Sequence, residues 1–281
     1  MEFFGTASSS GAALSASACQ EMFQGDTLLI PSVSYGNLGQ LTIDLLINTL
    51  LHRGDALDAS IQRVGHLFTT TVPPLVGSPA FSTAPGQGST DTAALCANLE
   101  VYRVPSRRLT IVQQRTDVTK GLARTFAREL AQWASTSGFA ELLVVSGADD
   151  MLRHDHNMLR RPLLTIGTFD AKTIRNAAFL APASASWSDL RGCGVAPLLQ
   201  KECDTHSLPL VAFVLPCAEG DNVPDAIQMS SHTLRFLEIP FDSPSANQPT
   251  SSTDRPNAPV FVFPPSWSQL FGRGPDVTLF L

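Results

Sequence analysis

Residues 28–51 read LLIPSVSYGNLGQLTIDLLINTLL, and this stretch decides the fold class. Its β-forming apolar start, from Thr27 to Val33, predicts a buried strand, and its second apolar part, from Gly39 to His52, predicts a helix. A glycine-bearing turn separates the two. Many nucleotide-binding proteins hold a phosphate with a strand, a glycine turn and a helix in this order. The stretch therefore raises the question of whether its turn binds a phosphate.

The turn lacks the residue spacing of the known phosphate-binding motifs. Gly36 and Gly39 are separated by two residues, whereas a dinucleotide-binding loop needs GxGxxG and a P-loop needs Lys-Ser or Lys-Thr after its second glycine. No lysine or arginine precedes Arg53. We therefore predict a structural turn at Gly36, Asn37 and Gly39 that lets the helix pack close to the strand.

The helix after the turn is apolar on nearly all sides. Its polar residues recur at every fourth position and form one narrow stripe, made of Gln40, Asp44, Asn48 and His52. A helix with so wide an apolar surface is buried on more than one side, either within its own domain or beneath a second chain. The second alternative predicts a partner-binding face, for which the candidate residues are Ile43, Leu46, Ile47 and Leu50.

Strands and helices alternate along the rest of the chain. Further strands are predicted at residues 66–72, 99–104, 109–114, 141–146 and 208–215. The second and third of these flank Pro105 and Ser106, which predicts a hairpin. Helices are predicted at residues 120–137 and 224–237. The pattern is typical of an α/β fold, and we predict a three-layer α/β/α sandwich with a mostly parallel sheet.

The chain divides into a single domain with an extension at each end. Residues 1–26 include the small, polar stretch TASSSGAALSASA and are predicted to be poorly ordered. Residues 27–272 form the α/β domain, with a low-complexity insertion at 241–259 that is rich in Pro, Ser, Asn and Thr. Residues 273–281 form a C-terminal tail that ends in Leu279, Phe280 and Leu281. Because chain ends are usually polar, this apolar end predicts a pocket, either in a partner or in the chain's own domain.

The composition argues against several classes of protein. A net charge of −6 does not suit a nucleic-acid or anionic membrane surface, since both need clustered lysine and arginine. The five widely spaced cysteines include no CxxC pair and indicate reduced thiols. The longest apolar segment is interrupted by Asp44 and Asn48, so no membrane span is predicted. The N-terminus lacks the basic region of a signal peptide, and we expect a protein of the cytoplasm and nucleus.

Two groups of titratable residues are candidates for chemistry. The denser one follows a predicted strand and contains Asp149, Asp150, His154, Asp155 and His156. It lacks the spacing of metal ligands on one helix face, and surface loops often collect such residues, so no metal site is predicted.

The second group, Glu219, Asp221 and Asp225, opens the predicted helix at residue 224. Its carboxylates suit Mg²⁺ binding or the N-terminus of a helix. With no basic partner close in sequence, we favour a structural turn made of Gly220, Asp221, Asn222 and Pro224. There is also no GxSxG motif of a serine hydrolase. We therefore predict no catalytic residue and no cofactor.

Five stretches of the chain resemble the proteasome assembly chaperone 2 family. They are TLLIPSVSYGNLGQLTIDLLINTL, VPPLVGSPAF, LEVYRVPSRRLTIVQQR, AFVLPCAEGDNVPDA and PPSWSQLFG, and they extend from Thr27 to Gly272. The resemblance implies a non-enzymatic chaperone whose fold is similar to that of nucleoside phosphorylases. It also implies a heterodimer with proteasome assembly chaperone 1 that binds the α-subunit ring of the proteasome core particle, promotes ring assembly and prevents premature ring dimerisation.

The same resemblance gives the C-terminal tail a role. Members of the family end in a hydrophobic residue, a tyrosine and any residue, which enter pockets between α subunits. Leu279, Phe280 and Leu281 occupy these positions here, and Phe280 lacks the tyrosine hydroxyl. The alternative function is a nucleoside- or nucleotide-processing enzyme of phosphorylase-like fold. Purification alone separates the two, because a chaperone subunit is expected to need its partner for solubility.

Overall fold

The structure is a computed structural model that describes residues 1–6, 12–81, 95–152, 162–168, 186–240 and 261–269. Its strands are β1 Glu2–Gly5, β2 Thr27–Pro31, β3 Gln62–Phe68, β4 Val76–Gly77, β5 Cys96–Ala97, β6 Leu99–Val104, β7 Leu109–Gln114, β8 Glu141–Asp149, β9 Leu164–Gly167 and β10 Leu210–Cys217. Its α-helices are α1 Ala16–Phe23, α2 Leu38–Arg53, α3 Ala123–Thr136, α4 Ala196–Thr205 and α5 Val223–Phe236.

The described strands form an eight-stranded mixed sheet, with β4 and β5 as a separate pair. The order in the large sheet is β1-β3-β6-β7-β2-β8-β10-β9. The four central strands, β7, β2, β8 and β10, run parallel. The strands on both flanks pair antiparallel. The parallel centre brings the carboxyl ends of four strands to one edge, where ligands of open α/β sheets bind.

Helices cover both faces of this sheet and make two separate apolar cores. Leu28 and Ile30 of β2 face the core shared with α1, α3 and α4. Leu29 faces the core shared with α2 and α5. This alternation follows from the period of two along a strand. The predicted α/β class and its three layers are confirmed.

The helix α2 lies entirely inside its own domain. It packs against β2, β7 and β8 on one side and against α5 on the other. The side chains of the predicted partner face are only 0–2 % exposed, namely those of Ile43, Leu46, Ile47 and Leu50. The structure therefore corrects that hypothesis: the sheet and α5 cover the apolar surface of α2, so these four side chains are not available to a partner.

The N-terminal segment also differs from the prediction. In its described part, β1 pairs antiparallel with β3, and α1 packs on the sheet. Phe3 and Phe23 are fully buried and contact each other edge-to-face, with ring centroids 5.2 Å apart. Phe23 also stacks on Phe139. These aromatic contacts anchor the described part of the N-terminal segment, whose small, polar residues had indicated disorder. Residues 7–11 lie outside the described residues.

Several local elements agree with their prediction from sequence, whereas the strand predicted at residues 66–72 is found at Gln62–Phe68, and β9 and α4 were not predicted. β6 and β7 form the expected antiparallel hairpin, with Val104 opposite Leu109. On α3, Phe126, Leu130 and Trp133 point into the core. Over the described residues, no helix combines the length and the apolarity that a membrane crossing requires.

Candidate functional site

The glycine turn connects β2 to α2 at the carboxyl edge of the sheet. Gly36 has a φ of +65°, and a Cβ there would lie 2.5 Å from Nδ2 of Asn222. A Cβ on Gly39 would lie 2.6 Å from the carbonyl oxygens of Ser32 and Val145. The two carbonyl oxygens near Gly39 belong to the backbone, and moving them would cost considerable energy. The two glycines thus allow α2 to begin directly against β2 and β8.

The second predicted turn lies against the first. Nδ2 of Asn222 donates to the carbonyl oxygens of Gly36, 3.2 Å away, and Ala218, 3.0 Å away. Oδ1 of Asp221 accepts a bond from the backbone N–H of Val223, which opens α5. Pro224 lies in the first turn of α5, and Gly220 has a φ of +123°. The structure therefore brings together two turns whose bonded residues, Gly36 and Asn222, are 186 positions apart in the chain.

A cleft of about 720 Å³ opens at this edge of the sheet. The polar residues that line it include Ser34, Tyr35, Asn37, Gln40, Asp44 and Arg115. Among the described residues, no group of three His, Cys, Asp or Glu side chains is arranged to hold a metal ion. Three members of the sequence cluster, His154, Asp155 and His156, lie outside the described residues.

Two charged residues of the cleft, Asp44 and Arg115, are bonded to each other, whereas a third, Asp117, accepts a hydrogen bond from the backbone N–H of Val118. Nη1 of Arg115 donates to both carboxylate oxygens of Asp44, at 2.6 and 2.9 Å. Nε2 of Gln113 donates to the same carboxylate at 2.6 Å. Burial raises the pKa of the Asp44 carboxyl, while Arg115 and Gln113 oppose the rise by stabilising the ionised form. This network fixes α2 to the end of β7. The carboxylate of Asp44 therefore has a structural role.

Sequence reasoning missed Arg115 and Gln113. The available signal was the polar stripe of α2, because buried polar side chains need polar partners. Gln40 of that stripe also donates to the carbonyl oxygens of Gln114 and Arg115, at 3.1 and 3.2 Å. Gln40 and Asp44 of the stripe therefore contact the end of β7.

Asn48 of the stripe contacts residues 261–269, which we call the strap. Nδ2 of Asn48 donates to the carbonyl oxygen of Val262 at 2.8 Å. The backbone N–H of Val262 donates to Oγ1 of Thr49 at 3.1 Å. The indole of Trp267 lies beside Asp44 and favours its ionised form, although its Nε1 makes no hydrogen bond of normal geometry to a described residue. The polar side chains of α2 are thus bonded to the strap as well as to the end of β7.

An apolar groove of about 360 Å³ lies at the start of β4, away from α2. Phe68, Leu75 and Val76 line it, and all three are exposed. Leu95, which is also exposed, comes just before β5, the pairing partner of β4. Grouped apolar side chains of this kind are typical of protein contact surfaces. The predicted tail residues Leu279, Phe280 and Leu281 lie outside the described residues.

Comparison with known proteins gives consistent matches over most of the chain. A model described as the PAC2 family matches residues 28–247. The chain is 30 % identical to proteasome assembly chaperone 2 of Bos taurus over 275 residues, which cover 91 % of this chain and 95 % of that protein. It is 29 % identical to the Homo sapiens protein of the same name, with the same coverage.

Solved structures of low sequence identity share the fold. One is a protein of unknown function from Thermoplasma acidophilum, with a TM-score of 0.59, 14 % identity and coverage of 80 % of this chain and 82 % of that one. Another is Pyrococcus furiosus PbaA, described as an archaeal homolog of proteasome-assembly chaperone, with a TM-score of 0.56, 11 % identity and coverage of 78 % and 84 %. At these identities the likeness shows the fold alone.

Proposed function

Because the chain belongs to the PAC2 family, we propose that it is a proteasome assembly chaperone. The observation that carries the proposal is the match with curated chaperones along nearly their whole length, 95 % of the Bos taurus protein. The family model alone matches residues 28–247, which include the two turns. The function of a shared fold has to come from its sites, and in this proposal those sites bind other proteins.

The proposed partners are a second assembly chaperone, proteasome assembly chaperone 1, and the α subunits of the proteasome core particle. In this proposal the heterodimer binds the α-subunit ring, promotes its assembly and prevents premature ring dimerisation, in the cytoplasm and nucleus. The exposed groove at Phe68, Leu75 and Val76 supports a protein partner, as does the low charged fraction of 16 %. The residues of α2 named from sequence are excluded by their burial.

We place the contact with the α ring at the C-terminal tail. Leu279 and Phe280 would bury their side chains in a groove between two α subunits, and the carboxylate of Leu281 would pair with a lysine of that pocket. Burying a Leu or Phe side chain contributes about 1.5–3 kcal/mol before the cost of ordering the tail. Phe280 lacks the hydroxyl of a tyrosine, so one hydrogen bond of about 0.5–1.5 kcal/mol is not made.

Deleting residues 279–281 is expected to weaken binding of the heterodimer to α rings by about ten-fold or more, since each 1.4 kcal/mol is a factor of ten. Heterodimer formation should not change. Biolayer interferometry with immobilised α rings measures both variants. Phe280→Tyr is the matched control and should bind at least as tightly as the natural chain. Residues added after Leu281 should weaken binding, because they move the carboxylate. Equal affinities of deleted and intact chains would contradict the tail's role.

The proposal includes no catalysis. The cleft at the carboxyl edge favours the alternative of a nucleoside- or nucleotide-processing enzyme, because such folds bind ligands there. Against it, two charged side chains of the cleft are engaged in structure: Asp44 is bonded to both Arg115 and Gln113. The curated relatives are also named as chaperones rather than enzymes.

A further inference from the structure

The groove at the start of β4 opens where two neighbouring strands stop pairing. The register of β3 with β6 ends at the pair His66 and Glu100. β3 continues to Phe68, and its last two residues pair with β1 on the other side. The groove is lined by the end of β3, by its connection to β4 and by residues 97–99. It is therefore a gap in the flank of the sheet.

Hydrogen bonds fix the connection between β3 and β4, which forms one wall of the groove. Nδ2 of Asn98 donates to the carbonyl oxygen of Pro73 at 2.7 Å. The backbone N–H of Thr119 donates to the carbonyl oxygen of Thr71 at 2.9 Å. β4 itself pairs with β5. Because these bonds already hold the wall, a partner meets a formed groove, and little ordering of this chain opposes binding.

The described lining of the groove is uncharged and mostly apolar. Phe68, Leu75 and Val76 are 50 %, 40 % and 68 % exposed. Among the described residues that line the groove, none is Asp, Glu, Lys or Arg. Partial burial lowers the pKa of the His66 imidazole, which favours its neutral form. A charged group docked here would lose hydration without gaining a counter-charge, so the groove favours an apolar, uncharged occupant.

Exposed apolar surface is concentrated at this place. Six large apolar side chains are exposed among the described residues, and four of them belong to this group: Phe68, Leu75, Val76 and Leu95. The largest apolar patch of an ordinary monomer measures about 300–600 Å² and is often functional. A stable interface buries about 800 Å² on each partner, with a charge-depleted, apolar centre and a polar rim. The groove therefore fits the centre of such an interface.

We propose that the groove is the centre of the interface with the second assembly chaperone and receives an apolar, uncharged segment of that protein. This inference rests on the proposed function, which needs a surface for a second chaperone. The face predicted on α2 is buried, and the tail is assigned to the α ring. The groove is the described apolar surface that is open to the second chaperone.

A charge placed in the groove tests the inference through affinity. Phe68→Asp and Val76→Asp should each weaken the heterodimer about thirty-fold or more, which is the loss typical of a central interface residue. Phe68→Leu and Val76→Ile keep an apolar side chain and should keep most of the affinity. Phe263→Asp is the matched control, because Phe263 is 48 % exposed and lies on the strap, outside the groove. Fluorescence-detected ultracentrifugation of the co-expressed heterodimer over a dilution series measures the dissociation constants.

A cross-link tests the same contact in the intact complex and does not rely on a loss of binding. The five native cysteines are buried, so a thiol-reactive benzophenone labels Val76→Cys selectively at its new, exposed position. Illumination of the labelled heterodimer should join this position to the second chaperone. The same label on Met151→Cys, at a position that is 80 % exposed but outside the groove, should give at most a small fraction of that product.

The outcomes separate the inference from the proposed function. Cross-links that join Val76→Cys to an α subunit, to a second copy or to the chain itself, in place of the second chaperone, would overturn the inference. Unchanged heterodimer affinity of Phe68→Asp and Val76→Asp would also overturn it, while leaving the proposed function intact. If the natural chain binds no second chaperone at all, the proposed function and the inference are both wrong.

Discussion

The Ile43→Asp variant is expected to lose its native fold, with or without a partner present. Ile43 is completely buried in the apolar layer between the sheet and α5. An unpaired carboxylate in such a place costs several kcal/mol, and a whole domain is stable by only about 5–15 kcal/mol. Thermal unfolding followed by circular dichroism, with size-exclusion chromatography, measures the loss.

The matched control for Ile43→Asp is the same kind of change at the surface. Val76 is 68 % exposed, so Val76→Asp should change the free energy of unfolding by less than about 0.5 kcal/mol. An Ile43→Asp chain that keeps its unfolding transition but no longer binds its partner would contradict the structure. That result would restore the hypothesis of an interface on α2.

Arg115→Met is expected to lower the free energy of unfolding by about 3–5 kcal/mol, because it leaves the Asp44 carboxylate buried without its cation. Arg115 contacts Asp44 at 2.6 Å, and it also lies 3.9 Å from Glu100. Urea unfolding gives the free energy difference. The double variant Asp44→Asn/Arg115→Met should recover part of the loss, since it removes the uncompensated charge as well.

An exposed ion pair serves as the control for the Asp44–Arg115 pair. Asp58 lies 3.4 Å from Arg107, and its side chain is 83 % exposed. Asp58→Asn should therefore change the free energy of unfolding by less than about 1 kcal/mol. If Arg115→Met has an effect as small as this, the buried pair does not hold α2 to β7.

The fold class follows from the sequence because its signals are local. The apolar run of β2, the hairpin at Pro105 and the helix at residues 120–137 each involve neighbouring residues, so one segment at a time is enough to predict them. β1 has no such signal. Its four residues are held by pairing with β3 and by the contact of Phe3 with Phe23, and both depend on distant parts of the chain.

The contacts of the candidate site also depend on distant parts of the chain, so they could not be predicted from single segments. The sequence predicts that α2 is buried on several sides, but a pattern of burial does not say what covers the helix. The polar stripe marks the positions of Asp44 and Asn48 without naming their partners. Those partners are Arg115, 71 residues away, and Val262, 214 residues away. Contacts at such separations depend on the topology of the sheet, which periodicity alone cannot supply.

Purification of the tagged chain from cells of its own organism, followed by mass spectrometry, tests the proposed function most directly. The expected result is co-purification of a second assembly chaperone together with proteasome α subunits, both enriched over a tag-only control. The chain lacking residues 279–281 should retain the second chaperone and lose most of the α subunits. Recovery of the intact chain with neither an assembly chaperone nor α subunits above the control would contradict the proposal.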